Sequence, residues 1–204
     1  KWPDCNYAPI EIDGHYGAPD AAMSVGIAPD RSAESPQARA GLTKLRKYFE
    51  RTPPKSLHHR AMLAWCSIRV DGIATESQRN ETLSELLSRQ LDDGGWSTAA
   101  LLSDWEGLTG SRELDLETSD GYGTGFVIVV ARELWVPADD ARLRRGVQWL
   151  KSNQRQSGKW FTHSPVNDCG NLISNVGSAF GILALQACGE LPAPKATQPL
   201  SAWL

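Results

Sequence analysis

The sequence has no apolar run that approaches the roughly 20 residues needed to cross a bilayer, so a transmembrane helix is excluded. It has no CxxC pair among its four cysteines, which removes zinc-ribbon and dithiol redox motifs. It has no cluster of Lys and Arg, and its net charge of −3 argues against a nucleic-acid partner. Methionine is scarce at two residues, whereas tryptophan reaches eight. Trp supplies a large rigid surface with a single donor, which suits repeat junctions or the wall of an apolar cavity. With 204 residues, 41% hydrophobic and 22% charged, the chain has the composition of one soluble globular domain with a sizeable core. Cys66 and Cys188 lie in apolar helical stretches and read as packed thiols. Cys5 and Cys169 each follow an aspartate in a loop.

Helix signals recur along the chain. Ser35-Pro36 places a cap before a proline suited to the first helical position, and Ala38, Leu42, Leu45 and Phe49 then share one face. Thr75-Glu76-Ser77-Gln78 is a capping box, followed by Leu83, Leu86, Leu87 and Leu91 at helical spacing. Asp139 or Asp140 can cap a third helix with Leu143, Val147 and Leu150. These three are amphipathic and read as outer helices with one wet face.

Between them lie segments of another kind: 18–28, 61–70, 124–135 and 178–188. They are apolar almost all round and rich in Ala and Gly, as buried inner helices are. Gly125–Val130 has strand propensity, but its equivalence to the 178–188 segment makes it helix. The inner helices share an entrance pattern. His15-Tyr16-Gly17-Ala18, Gly121-Tyr122-Gly123-Thr124 and Asn175-Val176-Gly177-Ser178 each place Gly before a small residue, and His58-His59-Arg60-Ala61 is a degenerate copy. Tandem helix pairs of this sort stack around a continuous core. The whole chain, 1–204, is expected to be one all-α domain, with residues 97–116 an insertion at the surface and 191–204 a tail.

The ends of the outer helices carry the most specific signal. Gln90-Leu91-Asp92-Asp93-Gly94-Gly95-Trp96 and Gln154-Arg155-Gln156-Ser157-Gly158-Lys159-Trp160 are two copies of one motif, the second preceded by Arg145-Gly146-Val147-Gln148-Trp149-Leu150. Lys1-Trp2 looks like the tail of a third copy, and the unit around Tyr48-Phe49 has lost the Gln and the Trp. The pattern resembles the QW repeat of squalene-hopene and oxidosqualene cyclases, in the wider prenyltransferase/squalene-oxidase repeat superfamily. The likeness covers roughly residues 1–190 and points to the C-terminal portion of such a protein. It implies an α/α toroid (alpha-alpha barrel) of helical hairpins around a central apolar cavity. In the family the Gln and Trp tie successive hairpins together, which assigns Gln90, Trp96, Gln154 and Trp160 a structural role. A closed ring needs about twelve helices at two per repeat. Seven are expected here, so the toroid is incomplete, with a missing N-terminal half or an oligomer partner implied.

A terpene cyclase, an isomerase-class enzyme, protonates an alkene and steers a carbocation. The family supplies the proton from an Asp-x-Asp-Asp cluster, which this chain lacks. Asp92-Asp93 is half of it but lies in the Gln-to-Trp turn and reads as solvated. If the chain lines a pocket, the inner-helix entrances do so, where helix N-termini offer N–H groups. Asp13, His15, Tyr16, His59, Glu117, Asp120, Tyr122 and Asn175 are the candidates, with Glu11, His58 and Ser174 beside them. Asp13, Asp120 and Ser174 are equally plausible as caps. The related protein prenyltransferases hold zinc with Asp, Cys and His. Asp4, Cys5, His15, His163, Asp168 and Cys169 are of the right types but not in that local pattern, so neither a metal nor a cofactor is expected. Two readings stand. One is a squalene-hopene cyclase-like protein that binds an isoprenoid, with its acid supplied elsewhere. The other is a non-catalytic helical-repeat module for a lipid or protein partner. Peripheral contact with a membrane and the localisation stay open.

Overall fold

A computed structural model describes residues 14–29, 32–104, 114–164 and 172–192; for residues 14–16 and 172 it describes the backbone alone. Within these residues the chain is all-helical: α1 (Gly14–Ile27), a short 3₁₀ turn (Ser32–Glu34), α2 (Pro36–Arg51), α3 (Leu57–Cys66), α4 (Glu76–Ser88), α5 (Thr98–Leu102), α6 (Gly121–Glu133), α7 (Ala141–Asn153) and α8 (Leu172–Ala187). The outer helices start where their caps predict. Ser35 caps α2 with Pro36 at its first position, Thr75 and Gln78 close a capping box on α4, and Asp140 caps α7. Each cap returns a hydrogen bond to an otherwise orphan N–H of the first turn.

The inner helices begin earlier than the Gly-small pattern suggests. Tyr122 and Gly123 lie inside the first turn of α6, Asn175 and Gly177 inside the first two turns of α8, and His58 and His59 inside α3. Ser174 is likewise helical and not a cap: it receives a hydrogen bond from Thr162 N and donates one to Thr162 O, both at 3.3 Å. Glycine weakens a helix interior, and close packing compensates here. A Cβ on Gly125 would lie 2.6 Å from the carbonyl carbon of Phe180, so α6 and α8 touch backbone to backbone. One on Gly123 would lie 2.7 Å from Thr98 N. The stretch expected as a surface insertion also departs from expectation at its start. Residues 98–102 form α5, and Thr98, Leu101 and Leu102 are buried against the core, because Ser97 caps this short helix and two consecutive leucines face inward.

Helices α1, α3, α6 and α8 pack in that order as a row, and α2, α4 and α7 pair with α1, α3 and α6 respectively. The row is parallel. At one end Tyr122 reaches His58, and Tyr122 N meets Thr162 beside Gly177. At the other end Gly26 abuts Arg69, Arg69 pairs with Glu133 at 2.8 Å, and Arg132 donates to Ala187 O. The main core runs through α3 to α8, with Leu57, Met62, Leu86, Trp96, Phe126, Ile128, Leu143, Leu150 and Trp160 among its buried members. Smaller clusters attach α1 and α2: Ala22 with Leu42, Cys66 and Val70, and Ala18 with Phe49 and Leu63.

The two Gln-to-Trp turns are built by the same bonds. Gln90 Nε2 donates to Gly94 O at 2.8 Å, and Gln154 Nε2 to Gly158 O at 2.9 Å. Trp96 Nε1 donates to Leu86 O at 2.8 Å, and Trp160 Nε1 to Leu150 O at 2.7 Å. Trp96 N donates to Thr124 Oγ1, and Trp160 N to Ser178 Oγ. Gly94 and Gly158 both sit at positive φ, +94° and +79°, where any other residue is strained. Both indole rings are sealed in the core.

Candidate functional site

The starts of α3, α6 and α8 bring several expected site residues together. His58 Nε2 and the Tyr122 hydroxyl share a 2.7 Å hydrogen bond. The His58 ring stacks on Phe126 with centroids 4.3 Å apart, Tyr122 lies parallel to Phe126, and Phe180 meets both edge-on. His59 stands edge-on to His58, and both imidazoles are fully buried. Burial, and then the charge of His59, drives the His58 pKa well below its usual 6.5, so His58 is neutral at pH 7. A neutral imidazole beside a phenol could relay a proton. Here both groups are enclosed by side chains that fill the space between the helices.

Asp120 is the hub of the neighbouring junction. As the cap of α6 it accepts from Gly123 N at 2.9 Å. It also accepts from Thr98 N and Thr98 Oγ1, both at 2.7 Å, and from Thr162 Oγ1 at 3.2 Å. Thr162 in turn receives the Tyr122 N–H at 2.9 Å. Asp120 therefore ties α5, α6 and the strap before α8 into one knot. Burial raises its pKa above the usual carboxylate value, against four hydrogen bonds that lower it. A raised pKa makes a weaker acid, the wrong direction for protonating an alkene. The space beside Asp120 holds only about 90 Å³, with Asp115, Ser119, Phe161 and His163 around it. His163 stands edge-on to Phe161 at 4.3 Å, and the Arg155 guanidinium lies over the Phe161 ring, 4.6 Å from its centroid.

The remaining candidates scatter. Glu117 is exposed in the strap before α6. Asn175 is exposed on α8 and accepts from Lys159 Nζ at 3.1 Å. Asp13, Asp4, Cys5, Asp168 and Cys169 lie outside the described residues, as do the side chains of His15 and Tyr16. Among the described residues no three His, Cys, Asp or Glu groups are placed to hold a metal ion, and no helix is long and apolar enough to cross a membrane.

Two features escape a reading of the sequence. Asp93, read there as solvated, is a cross-repeat link. Its Oδ1 accepts from Gly95 N at 3.0 Å and Ser119 Oγ at 2.7 Å, and its Oδ2 from Trp149 Nε1 at 2.8 Å. The sequence signal for it was Trp149, whose indole N–H needs an acceptor. The second feature is a cleft of about 600 Å³ between α2, α3 and α4, floored by Phe49, Leu63 and Ala64 and closed at one end by Gly72, Ile73 and Ala74. It opens at the unit that lacks the Gln and the Trp.

The chain matches no protein-family model, no curated protein and no solved structure.

Proposed function

We propose that this chain is a non-catalytic helical-repeat module, of squalene-hopene cyclase-like architecture, that binds an isoprenoid or another lipid. The observation that carries this reading is the closed state of the inner-helix starts. His58, Tyr122, Phe126 and Phe180 pack against one another there, and Asp120 is committed to capping. A concavity of about 600 Å³ with an apolar floor lies instead between α2, α3 and α4, within the usual range for small-molecule sites. Incubation of the purified chain with squalene, and separately with squalene epoxide, tests the reading. Both should be recovered unchanged by mass spectrometry, and isoprenoid alcohols or acids should raise the melting temperature. A cyclised product would overturn it.

The alternative is a cyclase-like protein whose acid is supplied elsewhere. The two Gln-to-Trp turns, with the same bonds at the same offsets, support it.

A further inference from the structure

The α2–α3–α4 cleft has a shape and a charge pattern that name its ligand more closely than the reading above, on which this inference rests. Its floor is apolar: Phe49, Leu63 and Ala64, with Ile73 at the end. Its charged lining consists of Arg46, Arg60, Glu50 and Glu81. Arg60 is already committed, with Nη1 2.7 Å from Glu85. Glu81 accepts from Ser77 Oγ at 2.7 Å on the α4 rim, and Glu50 is exposed on the α2 rim. Arg46 differs from these. It is half-buried, its Nε donates to Asp71 O at 2.7 Å, and that bond fixes the plane of the guanidinium against Gly72. Its two terminal nitrogens make no hydrogen bond or ion pair among the described residues. Glu50 stands one turn further along α2, the Arg-before-Glu order that pairs less well on a helix.

We infer that the cleft binds an amphipathic monocarboxylate, its chain on Phe49, Leu63 and Ile73 and its carboxylate forked by the terminal nitrogens of Arg46. A guanidinium with Nε spent still presents two parallel N–H groups, which match a carboxylate bidentately. A phosphate head carries nearly twice the charge and would meet stronger repulsion from Glu50 and Glu81 on the two rims. An uncharged head would leave the guanidinium facing an apolar ligand without a partner.

Titration calorimetry of the full chain with farnesoic acid, farnesol and farnesyl phosphate tests this, since the three share one apolar body. The acid should bind one per chain, with farnesol and the phosphate each about 10-fold weaker or more. Arg46→Gln should weaken the acid by about 10- to 100-fold and leave farnesol unchanged. Ala74→Trp, which fills the cleft from its half-buried end, should remove binding of all three without changing the circular dichroism spectrum. If Ala74→Trp unfolds, the Arg46→Gln comparison decides alone. An acid preference that survives Arg46→Gln, or tighter binding of the phosphate, overturns the inference while leaving the lipid-module reading intact. Failure of all three to bind the unmodified chain overturns the inference and, with it, the isoprenoid form of the reading above.

Discussion

The junction between α4 and α7 and the junction between α2 and α4 join equivalent outer helices and are built differently. At the first, Gln90 spans the gap with bonds to Gly94 O and, at 2.7 Å, to Arg142 O of α7. Arg145 returns the contact to Leu91 O and Asp92 O, and Trp149 reaches Asp93. The Trp96 ring lies so close to α7 that a Cβ on Gly146 would be 2.7 Å from its Cζ3. At the second, the chain leaves α2 through Arg51-Thr52-Pro53-Pro54, and prolines bring no backbone donors. Arg46 Nε reaches across to Asp71 O, and the cleft opens beside it. One joint is sealed and the other holds a concavity, while the row of inner helices continues past both.

The sealed joint should be costly to break. Trp96→Ala removes a fully buried indole and its bond to Leu86 O, and should destabilise the fold by about 3–5 kcal/mol in chemical denaturation. Phe49→Ala should fall at or below the low end of that range, because one side of Phe49 already borders the cleft. Equal losses would erase the distinction. Gly146→Ala drives a methyl into Trp96 and Ile128 and should cost about 1–3 kcal/mol through overpacking. Gln90→Ala should cost about 1–2 kcal/mol, whereas Gln154→Ala, with one bond at an exposed site, should cost about half of that.

Much of this contrast was legible in the sequence. The caps at Ser35, Thr75 and Asp140 and the Gln-to-Trp turns rest on local rules, in which a side chain serves its own or an adjacent turn, so spacing alone reveals them. The true starts of α3 and α8 were not legible, whereas Asp120, a candidate cap in the sequence, does mark that of α6. Glycine there argues locally for a helix entrance, and only the tertiary contact of Gly123 with Thr98 and of Gly177 with Thr162 explains its presence inside a helix. Likewise, the roles of Asp93 and Asp120 depend on partners tens of residues away, at Trp149, Ser119, Thr98 and Thr162. The cleft has no local signal because its lining comes from three helices and the loops between them.

Acidity should discriminate more finely. His58 is held neutral in the folded state, whereas an unfolded imidazole takes a proton below about pH 6.5. The unfolded state then binds more protons, so stability is present above that pH and declines as pH falls below it. The melting temperature should drop between pH 7 and 5, and His58→Gln should flatten that slope; an unchanged slope would contradict burial of a neutral His58. Asp120 has the opposite sign. The folded state keeps its proton above the usual carboxylate value of 3.8, so its contribution declines as pH rises through that window. Asp140, held down to about 2 chiefly by its hydrogen bond to Arg142, stabilises above 3.8 and loses that contribution as pH falls towards 2. The smallest expected effect is at Cys66, a buried thiol pushed up to about 12 by burial and then by Asp20. Alkylating reagents at pH 8 should leave it unmodified until the chain unfolds.

The Gln-to-Trp staples, and not the helices alone, set where this row is rigid. Amide hydrogen exchange on the unliganded chain measures this most directly. Helices α4 and α7 should exchange only through global unfolding, while α2 from Leu42 to Arg51 should open at lower free energy, and Trp96→Ala should bring α7 down to the level of α2. Equal protection of α2 and α7 in the unmodified chain, or protection of α7 that is indifferent to Trp96→Ala in a still-folded protein, would contradict it.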